Sequence, residues 1–447
     1  MATHGLLMII DTNGSFVPDD PRPCPVKTPC KCSFNEIECS NLTQTEFPSF
    51  TKVNASWNCW SLVMNNNFNI KRIPAGAFDN VPFCNLRISH NGFEIMEDGA
   101  LNGSEPYLGT IFMQFNKFKE LPNEIARMPN LTMLSINDNP IETLPQKMAF
   151  SSTLRFLDVG SPEMTTWPDS IRTLKSVWSL TLYNLPMSDL PSDAFEGLEN
   201  AVSLLTFTST KFKAFPKALK RLKTTTGLSI TDNIELKSEG IPDDALSGMD
   251  SLGVIFISNS SLTRVPNIST NPFLTYLTIT NSPLSTWDVT TLPKQPLIQS
   301  IDFSNTDIDR IPVPVRHIRS LNTLTMHNTK VTNIGQGDLA GLQKLRELSL
   351  DKTPLANISM DAFNDTYSLQ YLNIDFTKLP GFPRAIERLP ALRAVGLDNI
   401  PIECSCSELG WMKHWIGLQQ FLDGGGQCHN IHKYFTDYIR EDIPKCP

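Results

Sequence analysis

A recurring pattern of apolar residues limits what this chain can fold into more than any other feature. The template L-x-x-L-x-L-x-x-N, whose three apolar positions point inward from a short strand and its turn, recurs with a mean period of about 24 residues. Residues 108–116 and 131–139 are well-preserved examples. We number the template positions 1 to 9. Position 1 falls at Trp57, Phe83, Leu108, Leu131, Leu154, Val177, Val202, Thr225, Leu252, Leu274, Ile298, Leu321, Leu345, Leu369 and Leu392.

The segments between the predicted strands are of two kinds that alternate irregularly. One reads Ile-Pro-x-x-Ala-Phe, as in residues 73–78, and the other Leu-Pro-x-x-Ile, as in residues 121–125. Proline fixes φ and lacks an N–H donor, so these segments suit short helical turns better than strands. The pattern predicts an α/β solenoid, a horseshoe of about 15 repeats with a parallel β-sheet on its concave face. Repetition also explains how 447 residues can share one elongated core.

The polar residue at position 9 varies along the chain. A buried asparagine amide can satisfy backbone groups of two adjacent turns, whereas a hydroxyl has a shorter reach and a single donor. Because Pro162, Leu185 and Ile400 interrupt the series altogether, we expect the curvature to be altered locally around repeats 5 and 6. Asparagine is assigned to position 9 at Asn65, Asn91, Asn116, Asn139 and Asn233, and a hydroxyl residue at Thr210, Ser260, Ser282, Thr306, Thr329, Thr353 and Thr377.

The ten cysteines lie almost wholly at the two ends of the chain, where a solenoid would otherwise expose its core. Two pairs are separated by a single residue, whereas zinc sites prefer two to four, so disulfides are the favoured interpretation. Cys59 and Cys84 fall on neighbouring strands, where a bridge is geometrically reasonable. The terminal clusters are Cys24, Cys30, Cys32 and Cys39 at the start, and Cys404, Cys406, Cys428 and Cys446 at the end.

Both clusters resemble the flanking caps of extracellular leucine-rich-repeat proteins. The first has the pattern Cys-x5-Cys-x-Cys-x6-Cys, and the second combines Cys-x-Cys with Trp411, Trp415 and two later cysteines. The resemblance implies pairing of Cys24 with Cys32, Cys30 with Cys39, Cys404 with Cys428 and Cys406 with Cys446. The pattern and the resemblance together predict an N-terminal leader or tail at 1–23, a cysteine-rich cap at 24–56, repeats at 57–400 and a cysteine-rich cap at 401–447.

The family includes matrix proteoglycan-like proteins, Slit-like guidance proteins, Toll-like ectodomains and soluble partners of secreted enzymes. Within it, the mixture of Ala-Phe and Leu-Pro repeats and the compact tail are most similar to arthropod proteins related to the non-catalytic subunit of the shrimp oplophorus luciferase. We infer no luciferase activity from this likeness.

Nine Asn-x-Ser/Thr sequons agree with an extracellular, secreted location. The first residues lack the basic start and the cleavage site of a signal peptide, so the start is truncated, an exon is missing or export is unconventional. No stretch is long and apolar enough for a membrane span. A net charge of -8 argues against nucleic acid and anionic membranes as partners. The sequons are at Asn13, Asn41, Asn54, Asn102, Asn130, Asn259, Asn267, Asn357 and Asn364.

Few residue groups suggest chemistry, so we predict neither an enzyme nor a cofactor or metal site. Cys428, His429 and His432 resemble a zinc ligand set, but a disulfide-bonded sulfur is not a thiolate ligand. Four outward aspartates lack the Asp-x-Asp-x-Asp loop of a calcium site and are better explained as solvated carboxylates. These are Asp158, Asp302, Asp351 and Asp375.

Outward aromatic residues favour protein binding, since aromatic side chains are enriched where interfaces gain most of their energy. Cross-strand packing within the sheet is the alternative explanation. We predict another extracellular protein as partner, and a glycan at Asn259 would restrict it to repeats 3–6. The alternatives are a truncated receptor ectodomain and a non-catalytic subunit of a secreted enzyme. The candidate contact residues are Phe112, Phe115, Phe156, Trp178 and Tyr183, with Phe256, Tyr276, Tyr371 and Phe376 further along.

Overall fold

A computed structural model describes residues 24–53 and 59–447 of the chain. Asn13, Asn54 and Trp57 lie outside the described residues. The chain divides into two compact units, Met1–Val177 and Trp178–Pro447, which are taken separately below. Each is a parallel-sheet solenoid with little helix, which confirms the predicted fold class.

The first unit carries the first five repeats. Its main sheet has the order β1-β2-β3-β5-β7-β8-β9, parallel throughout except for the hairpin β1-β2, and β4 pairs with β6 on the return side. The strands are β1 Lys31–Ser33, β2 Glu36–Glu38, β3 Trp60–Val63, β4 Arg72–Ile73, β5 Phe83–Arg87, β6 Ile95–Met96, β7 Thr110–Phe112, β8 Met133–Ser135 and β9 Phe156–Val159. One short helix, α1 Asn123–Ala126, and two 3-10 turns, Ala149–Ser152 and Asp169–Thr173, lie in the returns.

The strands form where the template places apolar residues at positions 4 and 6. Alternation sends these side chains to the interior and positions 3 and 5 to the opposite face. Ile111 and Leu134, both at position 4, are register partners and are fully or almost fully buried. Burial of each such side chain stabilises the fold by about 1.5–3 kcal/mol. Each repeat thus adds one layer to a continuous core.

The register predicted for the first repeat is wrong by two residues. Leu62 pairs with Leu86, so position 4 is Leu62 and position 9 is Asn67 rather than Asn65. Asn67 is fully buried, and its amide donates to the Cys39 carbonyl at 3.2 Å and accepts from the Leu42 N–H at 2.7 Å. Trp60, which the earlier register put at position 4, is also buried. The additional apolar residue therefore concealed the true register.

The N-terminal cap provides the first layer of the sheet. Its hairpin brings β2 parallel to β3, with Ile37 opposite Leu62. Phe50 packs edge-on against Phe83, with ring centroids 5.6 Å apart, and covers the end of the core. This cap therefore closes the stack by continuing it with one atypical strand.

The second unit carries the remaining ten repeats. Its main sheet is parallel in the order β10-β11-β12-β13-β14-β15-β16-β18-β20-β21-β22, and β17 pairs with β19 on the return side. The strands are β10 Ser179–Tyr183, β11 Leu204–Thr208, β12 Gly227–Lys237, β13 Val254–Ser261, β14 Tyr276–Thr280, β15 Ser300–Asp302, β16 Thr323–Thr325, β17 Asn333–Ile334, β18 Glu347–Ser349, β19 Asn357–Ile358, β20 Tyr371–Asn373, β21 Ala394–Gly396 and β22 Asp423–Gly424.

Helical structure in the second unit is confined to the returns and the C-terminal cap. The α-helices are α2 Cys406–Leu409 and α3 Phe435–Glu441. The 3-10 turns are Lys217–Arg221, Ser238–Gly240, Val289–Thr291, Val313–His317, Arg384–Arg388, Gly410–His414 and Ile443–Lys445.

The C-terminal cap also extends the sheet before closing it. Its strand β22 pairs with β21, and Phe435 of α3 is fully buried against Phe382, with ring centroids 4.9 Å apart. Gly424 makes this packing possible, because a Cβ there would lie 2.7 Å from the Phe435 ring. The last repeat is thereby shielded from solvent.

All ten cysteines form disulfides, and the pairs are those given in the sequence analysis. Four staple the terminal caps, and the fifth joins the first two repeats. The pairs are Cys24–Cys32, Cys30–Cys39, Cys59–Cys84, Cys404–Cys428 and Cys406–Cys446.

The two residue types at position 9 make different hydrogen bonds. Asn116 donates to the Ile88 carbonyl of the preceding repeat and to the Met113 carbonyl of its own, both at 2.8 Å. The Thr329 hydroxyl donates only within its own repeat, to the Met326 carbonyl at 3.0 Å. Asn116 therefore links neighbouring turns and Thr329 closes a single turn, whereas the Ser260 and Ser282 hydroxyls bond each other across repeats at 2.9 Å.

Candidate protein-binding surface

The outward side chains at positions 3, 5, 7 and 8 form what we call the strand face of each unit. Positions 3 and 5 lie on the strands, and positions 7 and 8 lie on the turn that follows. Because the strands are parallel and in register, equal positions of successive repeats form a row across the sheet. Neighbouring members of such a row lie about 4.8 Å apart. A side chain on this face therefore has its neighbours at the same template position one repeat away.

Position 8 has a left-handed backbone in fourteen of the fifteen repeats. Asparagine or aspartate occupies nine of these positions, as expected because their short polar side chains tolerate this conformation. Phenylalanine occupies two of them, with φ 57° at Phe115 and 55° at Phe376. A bulky residue at positive φ is uncommon and costs roughly 1–2 kcal/mol. Both aromatic side chains thus stand at an unfavourable backbone position.

Phe115 is the most prominent predicted contact residue in the first unit. Its side chain is 47% exposed and stacks on His90, the residue at position 8 of the preceding repeat, with ring centroids 4.4 Å apart. Phe112, at position 5 of the same repeat, is half-buried. The stack holds the Phe115 ring in place while one of its faces stays available to solvent.

Phe156 lies two strands away from this stack in the first unit. It stands at template position 3 of its repeat, at the start of β9, in register with Met133 of β8 and Thr110 of β7. Its side chain is 38% exposed. Two strand spacings of about 4.8 Å separate Phe156 from Thr110, so the two backbones lie about 10 Å apart. The first unit therefore presents an aromatic surface of Phe112, Phe115 and Phe156 with His90 and Met133.

The other predicted contact residues belong to the second unit. Trp178 precedes β10 and is 42% exposed, and Tyr183 ends that strand and is half-buried. Phe256 and Tyr276 are exposed on β13 and β14, beside Val254, which is the register partner of Tyr276. Three of the five predicted contact residues of repeats 3–6 thus belong to the first unit and two to the second.

Sequence reasoning missed His90 and Val254 as members of these surfaces. His90 was available from the pattern, because it stands at the same template position as Phe115 one repeat earlier. Val254 stands at position 3, like Phe156 and Tyr276. A search by rows across repeats, rather than by aromatic residue type, would have found both.

The residue groups considered for metal binding are used in other ways. Cys428 is bonded to Cys404, while His429 and His432 are exposed. The Asp302 carboxylate accepts from the Ser304 N–H at 2.9 Å. In the two ranges that the structure covers, no group of three His, Cys, Asp or Glu residues could hold a metal ion. The predicted lack of a cofactor and of enzymatic activity stays a prediction.

Seven of the nine sequons lie in the described residues, and six of these asparagines are exposed. Asn267 is half-buried. Asn259 lies in β13 at template position 8 of its repeat, and its amide donates to Asp232 at 2.8 Å. A glycan at Asn259 would therefore occupy the edge of the strand face beside Phe256. The exposed sequons are Asn41, Asn102, Asn130, Asn259, Asn357 and Asn364.

Comparison with known proteins agrees with this repeat architecture. The family described as "Leucine rich repeat" matches residues 343–401, which span repeats 13 to 15. Podocan of Mus musculus is 24% identical over 204 residues, covering 39% of this chain and 33% of podocan. The chain has a leucine-rich-repeat solenoid fold. Human podocan-like protein 1 is 21% identical to this leucine-rich-repeat chain over 232 residues, covering 46% of the chain and 45% of that relative.

The leucine-rich-repeat fold of this chain is shared with a solved structure. The Drosophila Toll–Spatzle complex contains a chain that superposes with a TM-score of 0.62 at 18% identity, covering 82% of this chain and 55% of that one. The likeness establishes the fold alone. The chain spans a third to about half the length of the relatives named here. Among the described residues, no helix is long and apolar enough to cross a membrane.

Proposed function

We propose that this chain is a secreted, non-enzymatic scaffold that binds another extracellular protein through the strand face of its repeats. The observation that carries the proposal is Phe115, an exposed aromatic residue at a left-handed position and stacked on His90. Position 8 is left-handed in fourteen of the fifteen repeats, so residue 115 is distinguished by a phenylalanine where asparagine or aspartate is the usual residue. The aromatic surface of the first unit is therefore the proposed contact, and Trp178 and Tyr183 of the second unit are further candidate contacts.

The rigidity of the strand face supports this proposal. The strands are held by a continuous hydrogen-bonded sheet and a buried core, so binding would order little of the backbone. Exposed phenylalanine contributes a large contact area with two rotatable bonds. A rigid surface with aromatic anchors is the arrangement from which protein interfaces gain most of their energy.

The extracellular location is part of the proposal and is supported by the chemistry of the chain. Five disulfides require an oxidising compartment to form and persist. Exposed sequons agree with passage through the secretory route. The solved structural relative is itself a complex of Toll with Spatzle, and a protein ligand is the corresponding expectation for this chain.

The proposal is tested by isolating the partner and removing the aromatic contacts. The chain is purified from its natural secretion or an export-competent host and gently crosslinked, and co-purifying proteins are identified by mass spectrometry. We expect a stoichiometric extracellular partner. The Phe115→Asn/Phe156→Asn variant should weaken its binding at least tenfold, because truncation of interface anchors typically costs about 2 kcal/mol or more.

A matched control separates loss of contact from loss of fold. Phe68 is 63% exposed but follows position 9 of its repeat, away from the strand face, so Phe68→Asn should leave binding within twofold of the parent. Asparagine suits the left-handed backbone at residue 115, so the double variant should stay folded. Unchanged binding by the folded double variant, or equal losses in variant and control, would contradict the proposal.

The identity of the partner decides between this proposal and its alternatives. A small catalytic chain as partner would support the role of non-catalytic subunit implied by the luciferase-subunit resemblance. An adjoining coding segment of about 20 apolar residues would support the receptor ectodomain. Purification of an unaccompanied monomer would count against the scaffold.

A further inference from the structure

Three aspartates stand in one row at position 7 of the last three repeats. Asp351, Asp375 and Asp398 follow β18, β20 and β21. The backbone hydrogen bond from the residue after Asp351 to the Asp375 carbonyl is 2.8 Å, and the corresponding bond to the Asp398 carbonyl is 2.7 Å. These bonds place the three residues on consecutive layers, about 4.8 Å apart. Like charges in such a row repel one another.

The chain leaves most of this negative charge uncompensated. Asp351 pairs with His327, whose Nδ1 lies 2.6 Å from the carboxylate. Among the residues described by the structure, no lysine or arginine forms an ion pair with Asp375 or Asp398. Burial, together with the neighbouring carboxylates of Asp398 and Asp351, raises the pKa of Asp375 above its ordinary value. An added cation would relieve this repulsion.

Two exposed aromatic residues flank the aspartate row on the same repeat. Tyr371, at template position 3 and the first residue of β20, is 45% exposed. Phe376, at template position 8 of the same repeat, is 51% exposed. Asn373 and Asp375 lie between them along the chain. Phe376 is the second phenylalanine that stands at the left-handed position 8. Aromatic faces beside carboxylates suit a planar cation, which can stack on a ring while it bonds to an oxygen.

Small residues in the last repeat open a groove beside this row. The groove has a volume of about 530 Å³ and is lined by Glu347, Tyr371, Asn373, Asp375, Ala394 and Gly396. A Cβ at Gly396 would lie 2.6 Å from Asn373 Oδ1 and 2.7 Å from Asp375 Oδ2, so a larger residue there would displace both side chains. We use the name acidic groove for these lining residues together with Phe376, which follows Asp375 in the chain, and Asp398, whose N–H donates to the Asp375 carboxylate at 2.7 Å.

We propose that the acidic groove binds an extended, arginine-containing segment of a protein partner. Guanidinium matches the groove better than ammonium, because it can bond a carboxylate through two N–H groups and stack on Tyr371 or Phe376. This surface lies wholly within the second unit and is distinct from the aromatic surface around Phe115. The inference thus extends the proposed function without depending on the Phe115 contact.

The test measures binding of a fluorescein-labelled hexa-arginine peptide to the full chain by fluorescence anisotropy at physiological salt. We expect Asp375→Ala/Asp398→Ala to weaken binding at least tenfold. The control Asp243→Ala/Asp250→Ala changes the net charge equally at two exposed positions and should stay within twofold of the parent. Alanine is chosen because asparagine at residue 375 would create the sequon Asn-Phe-Thr.

A second variant tests the aromatic part without altering charge. Phe376→Asn places a favoured residue on the left-handed backbone, so it should keep the fold and weaken hexa-arginine binding about threefold to tenfold. Hexa-lysine should bind the parent more weakly than hexa-arginine. Absence of hexa-arginine binding by the parent, or equal losses in the two aspartate variants, would overturn the proposal. Unchanged binding by Phe376→Asn together with equal lysine and arginine affinities would overturn it as well.

Discussion

Replacement of Asn116 by alanine is expected to lower the free energy of unfolding of the first unit by about 2–4 kcal/mol. The side chain is buried, and its amide donates to the Ile88 carbonyl of one repeat and the Met113 carbonyl of the next. Alanine would leave the buried Ile88 carbonyl without this donor, whereas the Met113 carbonyl would keep the hydrogen bond from the Asn139 amide at 2.9 Å. The effect should appear as a lower urea midpoint by circular dichroism and as faster hydrogen exchange in residues 108–118.

Threonine at the same position distinguishes the link between repeats from the closure of one repeat. A hydroxyl at residue 116 can donate to the Met113 carbonyl, as Thr329 does to Met326, but should not reach Ile88. Asn116→Thr should therefore lose less stability than Asn116→Ala, because it keeps the bond within the repeat and loses the bond between repeats. Parental stability in Asn116→Thr would contradict a separate contribution from the hydrogen bond between repeats.

Removal of the Cys406–Cys446 disulfide is expected to destabilise the C-terminal cap by about 4 kcal/mol. The bridge spans 40 residues and closes over the buried side chains of Met412 and Phe435. Without it, the Cys406→Ser/Cys446→Ser variant should expose the end of the core at Leu397. Hydrogen exchange across residues 406–446 should accelerate, and binding of a hydrophobic dye should increase.

The Cys24–Cys32 disulfide provides the control for this prediction. It spans only eight residues, and the loop-entropy estimate for its removal is about 2.5 kcal/mol. The Cys24→Ser/Cys32→Ser variant should therefore lose less stability and leave exchange in the C-terminal cap unchanged. Slow exchange in residues 406–446 after loss of their own bridge would show that packing alone holds that cap.

The architecture was predictable because every turn of a solenoid needs apolar side chains at the same inward positions. Inward positions 4 and 6 need apolar side chains, as Ile111 and Met113 illustrate, and this requirement is visible as a period in the sequence. Exposed core at the chain ends requires caps, so the terminal cysteine clusters also had a physical reason. Neither the repeat period nor the need for caps depends on which residues lie on the surface.

The first repeat was misplaced because its sequence offers two apolar registers. Trp57 and Trp60 fit the template, but they leave 26 residues to Phe83, whereas a start at Cys59 leaves 24. The structure uses the second register and buries Asn67. The mean repeat period was the clue that favoured the correct choice over the match of residue types.

The binding surface was only partly predictable. The aromatic residue types drew attention to Phe115 and Phe376, but the left-handed backbone beneath them is not a property of phenylalanine. The contact between Phe115 and His90 joins residues 25 positions apart and emerges only when repeats stack. The acidic groove likewise depends on Gly396, whose importance lies in the space that it leaves for Asp375.

Hydroxyl-radical footprinting of the chain with and without its co-purified partner tests the central claim most directly. The account predicts that partner binding reduces oxidation of Phe115 and Phe156, which are exposed on the strand face of the first unit. Oxidation of Phe68 and Phe273, exposed outside the strand face, should stay unchanged. Protection of Phe68 and Phe273 with unchanged oxidation of Phe115 and Phe156 would contradict a strand-face scaffold.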